Sequence, residues 1–148
     1  MSEIALVITV SGILALFFQL FLFDAIVNKI GELGLIQLTF FASAIFIAVI
    51  AFTKSNLVVA LSTFVVFLAF DLFRPAVTTY LSKHAGNRQG AINGLNSAFT
   101  SFGNILGPMA AGYMFDLNHL FPYYISAIIL LGTGFLSLFL NRKNFSKI

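Results

Sequence analysis

The sequence predicts an all-α, polytopic membrane fold with about five transmembrane helices, and three observations lead to it. The 148-residue chain is 59% hydrophobic and only 9% charged, with mean hydropathy +1.01. Soluble domains carry about 25% charged residues, so too few charges exist here to coat a water-facing surface, and lipid must cover much of the chain. The apolar residues also fall into blocks of roughly 20, the length that crosses a hydrocarbon core as a helix. Finally, short polar connections separate the blocks, and these together with the basic tail hold every cation but Arg74.

The expected spans are 4–23, 33–53, 57–81, 91–115 and 121–140, followed by a basic tail at 141–148. Barrel strands would alternate in polarity over about ten residues, and these blocks do not. The first follows Ser2 and Glu3 with no cation before it. A secretory leader starts positively charged and ends its apolar core in a small-residue cleavage site. Here Phe21, Leu22, Phe23 and Asp24 close the block instead, so it is expected to stay in the protein as a span.

The polar connections are expected at 24–32, 54–56, 82–90 and 116–120. Connections this short make successive helices antiparallel neighbours. With five spans, the first loop, the third loop and the tail share one side. That side carries Lys29, Lys83, Arg88, Arg142, Lys143 and Lys147, against Lys54 alone on the other. The positive-inside rule then places the C-terminus in the cytoplasm and the N-terminus outside. An exported start with no preceding span is what a chain lacking an earlier portion would show.

Several function classes fall away. Cysteine is absent, which removes disulfides and thiolate metal sites. The net charge is +3 and its cations are scattered between apolar blocks, whereas a nucleic-acid partner requires a basic face. His84 and His119 fall in loops on opposite sides, so no metal cage is expected. The Gly-x-x-x-Gly pattern lacks the Lys-Ser/Thr of a phosphate loop. No catalytic constellation is present, and an enzyme is not expected.

The residues suited to chemistry are polar ones inside apolar blocks. Asp71 and Arg74 sit deep in the third block. Charges at mid-membrane cost about 2.5–3.5 kcal/mol each and usually face a bundle interior or a wet cavity. Their i,i+3 spacing puts both on one helix face. They read either as a structural ion pair or as a protonatable carboxylate beside a cation. Pro75 removes a backbone donor and loosens the helix next to them, which suits a moving helix, although prolines are frequent in membrane helices generally.

In the fourth block Asn93, Asn96, Ser97, Thr100 and Asn104 recur at three- and four-residue spacing as a polar stripe. Cavity lining and interhelical hydrogen bonding both fit Asn96 and Asn104. Gly103, Gly107 and Ala111 form a small-residue stripe that lets another helix approach closely. Phe67, Phe70, Phe99 and Phe102 lie on these two polar helices. They suit the aromatic walls of an apolar ligand site as well as ordinary packing against core or lipid.

The stretch Asp71-Leu-Phe-Arg-Pro75, followed by 86–108 from Gly86-Asn-Arg-Gln-Gly to Ile-Leu-Gly-Pro108, resembles the C-terminal half of major facilitator superfamily drug:proton antiporters, in particular the NorA-type quinolone and multidrug efflux pumps. The resemblance covers nearly the whole chain and is strongest over 64–116. It implies a partial C-terminal half of a twelve-helix fold, with the five blocks as helices eight to twelve.

By that resemblance Asp71 is the helix-ten acid of proton coupling and Arg74 the neighbouring arginine. Residues 103–112, with Gly103, Gly107, Pro108 and Gly112, match the second-half copy of the antiporter signature. Asn96 and Asn104 match cavity-side positions of helix eleven. Phe67, Phe70, Asn93, Phe99 and Thr100 complete the expected substrate path. Asp24, Lys29 and Gly31 look like a degraded loop signature, with Leu20 in place of its first glycine.

The implied function is the C-terminal fragment or subunit of a proton-coupled exporter, in a bacterial cell membrane. Its implied ligands are amphipathic drug-like molecules. The implied partners are the lipid bilayer and an N-terminal half or a second copy, with the proton as coupling ion and no cofactor. The alternative is a small structural or assembly membrane protein, or an inert remnant, without transport of its own.

Overall fold

The computed structural model describes residues 9, 12, 13, 16, 17, 19, 21 and 23–145, with side chains through 139. The first expected span, 4–23, lies largely outside the described residues, as do 146–148 of the basic tail. Four long helices follow: α1, Phe23–Phe52; α2, Asn56–His84; α3, Gln89–Leu117; and α4, Phe121–Phe145. A short 3-10 turn, Gly86–Arg88, lies between α2 and α3. No strand occurs among the described residues. The protein is an all-α membrane protein.

The connection expected at 24–32 differs from its reading. It is helical except at Gly31, whose φ 74 and ψ 166 break α1 into 23–30 and 32–52. These angles lie in a region only glycine occupies comfortably. One residue therefore makes the break, and the polar residues before it stay helical. The connection at 82–90 shrinks likewise. Helix α2 runs on to His84, Gly86 turns the chain at φ 50, and α3 starts at Gln89. Hydropathy marks where a helix leaves the lipid, and these helices continue past that point.

Helix α1 is the middle of the bundle. Its apolar stripe meets α2 around Leu35, Ile36 and Ala76, with Phe40, Phe73 and Tyr80 packed on them. The Phe40 and Phe73 rings are 5.0 Å apart. Small residues hold the two backbones close: Ser43, Ala44, Ser62 and Ala76 are all buried. Such residues are what membrane helix interfaces select, because lipid gives no hydrophobic drive between helices. The other side of α1 meets α4. Gln37 Nε2 donates to Ser137 Oγ at 3.3 Å, Phe41 meets Phe135 edge-on at 5.4 Å, and Phe52 lies 5.7 Å from Tyr124. Numbers rise on one helix as they fall on the other, so both pairs are antiparallel.

The contacts also fix which turns share an end. Lys83 donates to the Glu32 carboxylate, joining the end of α2 to the Gly31 break in α1. The 53–55 and 118–120 turns lie together at the opposite end, where Phe52 meets Tyr124.

Among the described residues, three helices are long and apolar enough to cross a membrane: Phe23–Phe52, Asn56–His84 and Phe121–Phe139. Helix α3 is 29 residues long, as is α2, but asparagines and glycines recur along it and it has no stretch as apolar as those in the other three. It has no buried residue and touches only the edges of α2 and α4.

Candidate functional site

Asp71 and Arg74 lie on α2, beyond its midpoint. Asp71 is half-buried and Arg74 exposed. They form no ion pair with each other. The one ion pair among the described residues is Lys83–Glu32, and the neutralised-pair arrangement is not the one adopted.

Pro75 adds a second feature at the same place. A helix closes by N–H to carbonyl bonds four residues back, and Pro75 has no N–H. The bond it omits is the one to the Asp71 carbonyl. The Thr78 hydroxyl donates to the Arg74 carbonyl at 3.1 Å, one turn further on, and leaves that of Asp71 free of it. The same arithmetic applies to α3, where Pro108 omits the bond to the Asn104 carbonyl. Each proline thus loosens the helix at a polar residue of the expected path.

The polar stripe of α3 divides along its length. Asn93 and Asn96 are half-buried, and Thr100 and Asn104 are exposed. The Asn93 Oδ1 is enclosed without a hydrogen-bond partner. Thr100 donates back to the Asn96 carbonyl at 2.8 Å, within its own helix. Phe99 is 70% exposed and Phe102 62%. The small-residue stripe is open too: a Cβ built at Gly103, Gly107 or Gly112 meets nothing within 4 Å. No described helix packs against Gly103 or Gly107.

A cavity of about 680 Å³ lies at the end with the 53–55 and 118–120 turns. All four helices line it. Helix α1 gives Ile47 and Ile50; α2 gives Val59, Thr63, Val66 and Phe67. Helix α3 gives Ala111, Gly112, Phe115 and Asp116, and α4 gives Pro122, Tyr123 and Ser126. Only Phe67 and Gly112 of the expected site residues line it. Phe70, Asn93, Asn96, Phe99, Thr100 and Asn104 do not.

Asp71 follows Phe67 by four residues, on the same helix face and about 6 Å further along the axis. Asp71 itself does not line the cavity, which on α2 is bordered by Val59, Thr63, Val66 and Phe67. Asp116, Thr63, Tyr123 and Ser126 were not expected in a site. Asp116 reads as a loop residue when the helix is taken to end at the apolar block. Helix α3 in fact runs to Leu117, which sets Asp116 one turn from Gly112 on the same face.

Long apolar helices, intramembrane charge and proline-loosened polar faces together define a multi-pass integral membrane protein. The sequence profile of the Major Facilitator Superfamily matches residues 1–147, and the chain belongs to that superfamily. It is 43% identical over 144 residues to Multidrug resistance protein 2 of Bacillus subtilis, covering 97% of this chain and 36% of that protein. It is 42% identical over 129 residues to Multidrug resistance protein 1 of the same organism, covering 87% of this chain and 33% of that one. Quinolone resistance protein NorA of Staphylococcus aureus is 39% identical over 125 residues, covering 84% of this chain and 32% of its own length. The chain thus spans about a third of the length of the curated relatives it matches.

Proposed function

We propose that this chain supplies the C-terminal part of a proton-coupled exporter of amphipathic, drug-like molecules. The observation that carries the reading is Asp71: a half-buried carboxylate within a membrane-crossing helix, unpaired with Arg74, on a face that lines a cavity one turn away. Intramembrane acids mark proton relays and substrate paths. In this reading Asp71 takes up and releases the proton, Arg74 is its neighbouring cation, and no other cofactor takes part.

Phe67, Phe70, Asn93, Asn96, Phe99, Thr100 and Asn104 form one wall of the substrate path. Pro75, Gly103, Gly107, Pro108 and Gly112 let α2 and α3 change shape. The end with Glu32, Lys83 and the basic tail faces the cytoplasm, following the cation distribution. The protein is a carrier and not an enzyme. Transporters of this architecture bind substrate between two repeats and rock them about it, so the partner is an N-terminal half or a second copy.

A second reading, an assembly protein without transport, draws on the open face of α3. Ethidium efflux from loaded cells separates the two. The chain expressed by itself gives no efflux. Joined to the N-terminal two-thirds of the 43%-identical Bacillus subtilis relative, it gives efflux that Asp71→Asn abolishes. A well-expressed hybrid that fails to export ethidium contradicts the transporter reading.

A further inference from the structure

We propose that a groove on the outside of the α1–α4 contact holds one anionic phospholipid, with an acyl chain over Ala44 and Ala48 and the phosphate at Lys54. The groove measures about 590 Å³. It lies around α1 from Ile47 and Ile50, which line the cavity described above. Ala44 and Ala48 form a small-residue floor, and Ile45, Val49, Phe52 and Leu131 stand around it. Ile45 is 58% exposed and Phe52 76%, so the groove opens away from the bundle. On a helix apolar enough to cross a membrane, that open side meets lipid.

The length of the groove and the charge at its mouth specify the occupant. The steps from Ala44 to Thr53 rise about 14 Å along α1, and half of a hydrocarbon core is about 15 Å. The groove thus has the depth of one leaflet, apolar throughout and polar only at Thr53. Thr53 Oγ1 accepts the Ser55 N–H at 3.3 Å, which leaves the Thr53 hydroxyl proton to donate. Lys54, the next residue, is exposed and forms no ion pair with any described residue. It is the only lysine or arginine in the two turns at this end. Asp116, a carboxylate of the same end, lines the cavity on the other side of α1. A phospholipid supplies both complements, a chain one leaflet long and an anion at the surface. Basic groups beside membrane helices bind such headgroups.

This site is separate from Asp71 and α3, and it requires neither transport nor a particular orientation in the membrane. The test reads binding alone. The full chain in non-ionic detergent is mixed with dioleoyl phosphatidylglycerol, and in parallel with dioleoyl phosphatidylcholine, which has the same chains and no net charge. Native mass spectrometry then counts the lipids that stay bound after the micelle is stripped away.

One retained phosphatidylglycerol is expected, in preference to phosphatidylcholine. Lys54→Gln, an exposed change, weakens its binding about fivefold, the scale of one lysine facing an anionic headgroup. Lys54→Arg, which keeps the charge, retains it. Lys29→Gln, which removes a cation at the other end, leaves it intact. Ala48→Phe, which puts a ring on the groove floor, abolishes it in a chain of unchanged helicity. Equal retention of both lipids, no retained lipid, equal loss in the Lys54→Gln and Lys29→Gln chains, or full retention by Ala48→Phe overturns the proposal. So does a groove closed by a second copy, read as a dimer that excludes lipid.

Discussion

Gly31→Ala isolates the break that lets α1 meet Lys83. The native backbone at this residue, φ 74 and ψ 166, belongs to a region that costs an L residue about 1–3 kcal/mol. No collision adds to that cost, because a Cβ at Gly31 meets nothing within 4 Å. The loss is therefore purely one of backbone strain, about 2 kcal/mol. Gly86 provides the internal comparison. Its φ is 50 and its Cβ would also meet open space, but asparagine visits the left-handed region that this angle marks. Gly86→Asn is expected to be nearly neutral, and Gly31→Asn is expected to be as damaging as Gly31→Ala. The assay is unfolding in mixed micelles by titrated sodium dodecyl sulfate, followed by helical circular dichroism. A Gly31→Ala chain within about 0.5 kcal/mol of the native one, the ordinary scatter of surface substitutions, would refute the reasoning, as would rescue by Gly31→Asn.

Two further outcomes test the packing. Gly134 is buried at the α1–α4 contact, and a Cβ there lies 3.1 Å from Phe41 Cζ. The ring tip yields by a few tenths of an ångström for Gly134→Ala, whereas Gly134→Leu overpacks the contact and costs about 1–3 kcal/mol in the same titration. The Lys83–Glu32 pair joins a carboxylate that is 14% exposed to an ammonium that is 60% exposed. A double-mutant cycle with Lys83→Met and Glu32→Gln is expected to give a coupling of about 0.2–1 kcal/mol, shrinking as salt is raised.

The membrane character and the helical class were legible in the apolar blocks, because block length and low charge are properties of single segments. The placement of Asp71, Arg74 and Pro75 on one helix was legible for the same reason. The break at Gly31 was not, since residues 23–30 carry polar groups that read as loop while staying helical. Hydropathy reports depth in lipid and not the neighbour across an interface. The contact of α1 with α4 joins Gln37 to Ser137, 100 residues apart. The four-helix cavity depends on that contact, which is why Asp116, Thr63, Tyr123 and Ser126 escaped notice. The small-residue stripe of α3 was visible as a pattern, but no described residue packs on it at Gly103 or Gly107.

The central claim, that Asp71 couples substrate export to proton movement, is tested most directly by substrate-driven proton flux. Everted membrane vesicles carrying the hybrid described above are energised to an acidic interior, and ethidium is added while the internal pH is read by dye fluorescence. The account predicts that ethidium dissipates the gradient with Asp71 in place and does not with Asp71→Asn at equal expression. Proton flux that persists in the Asp71→Asn hybrid would contradict it.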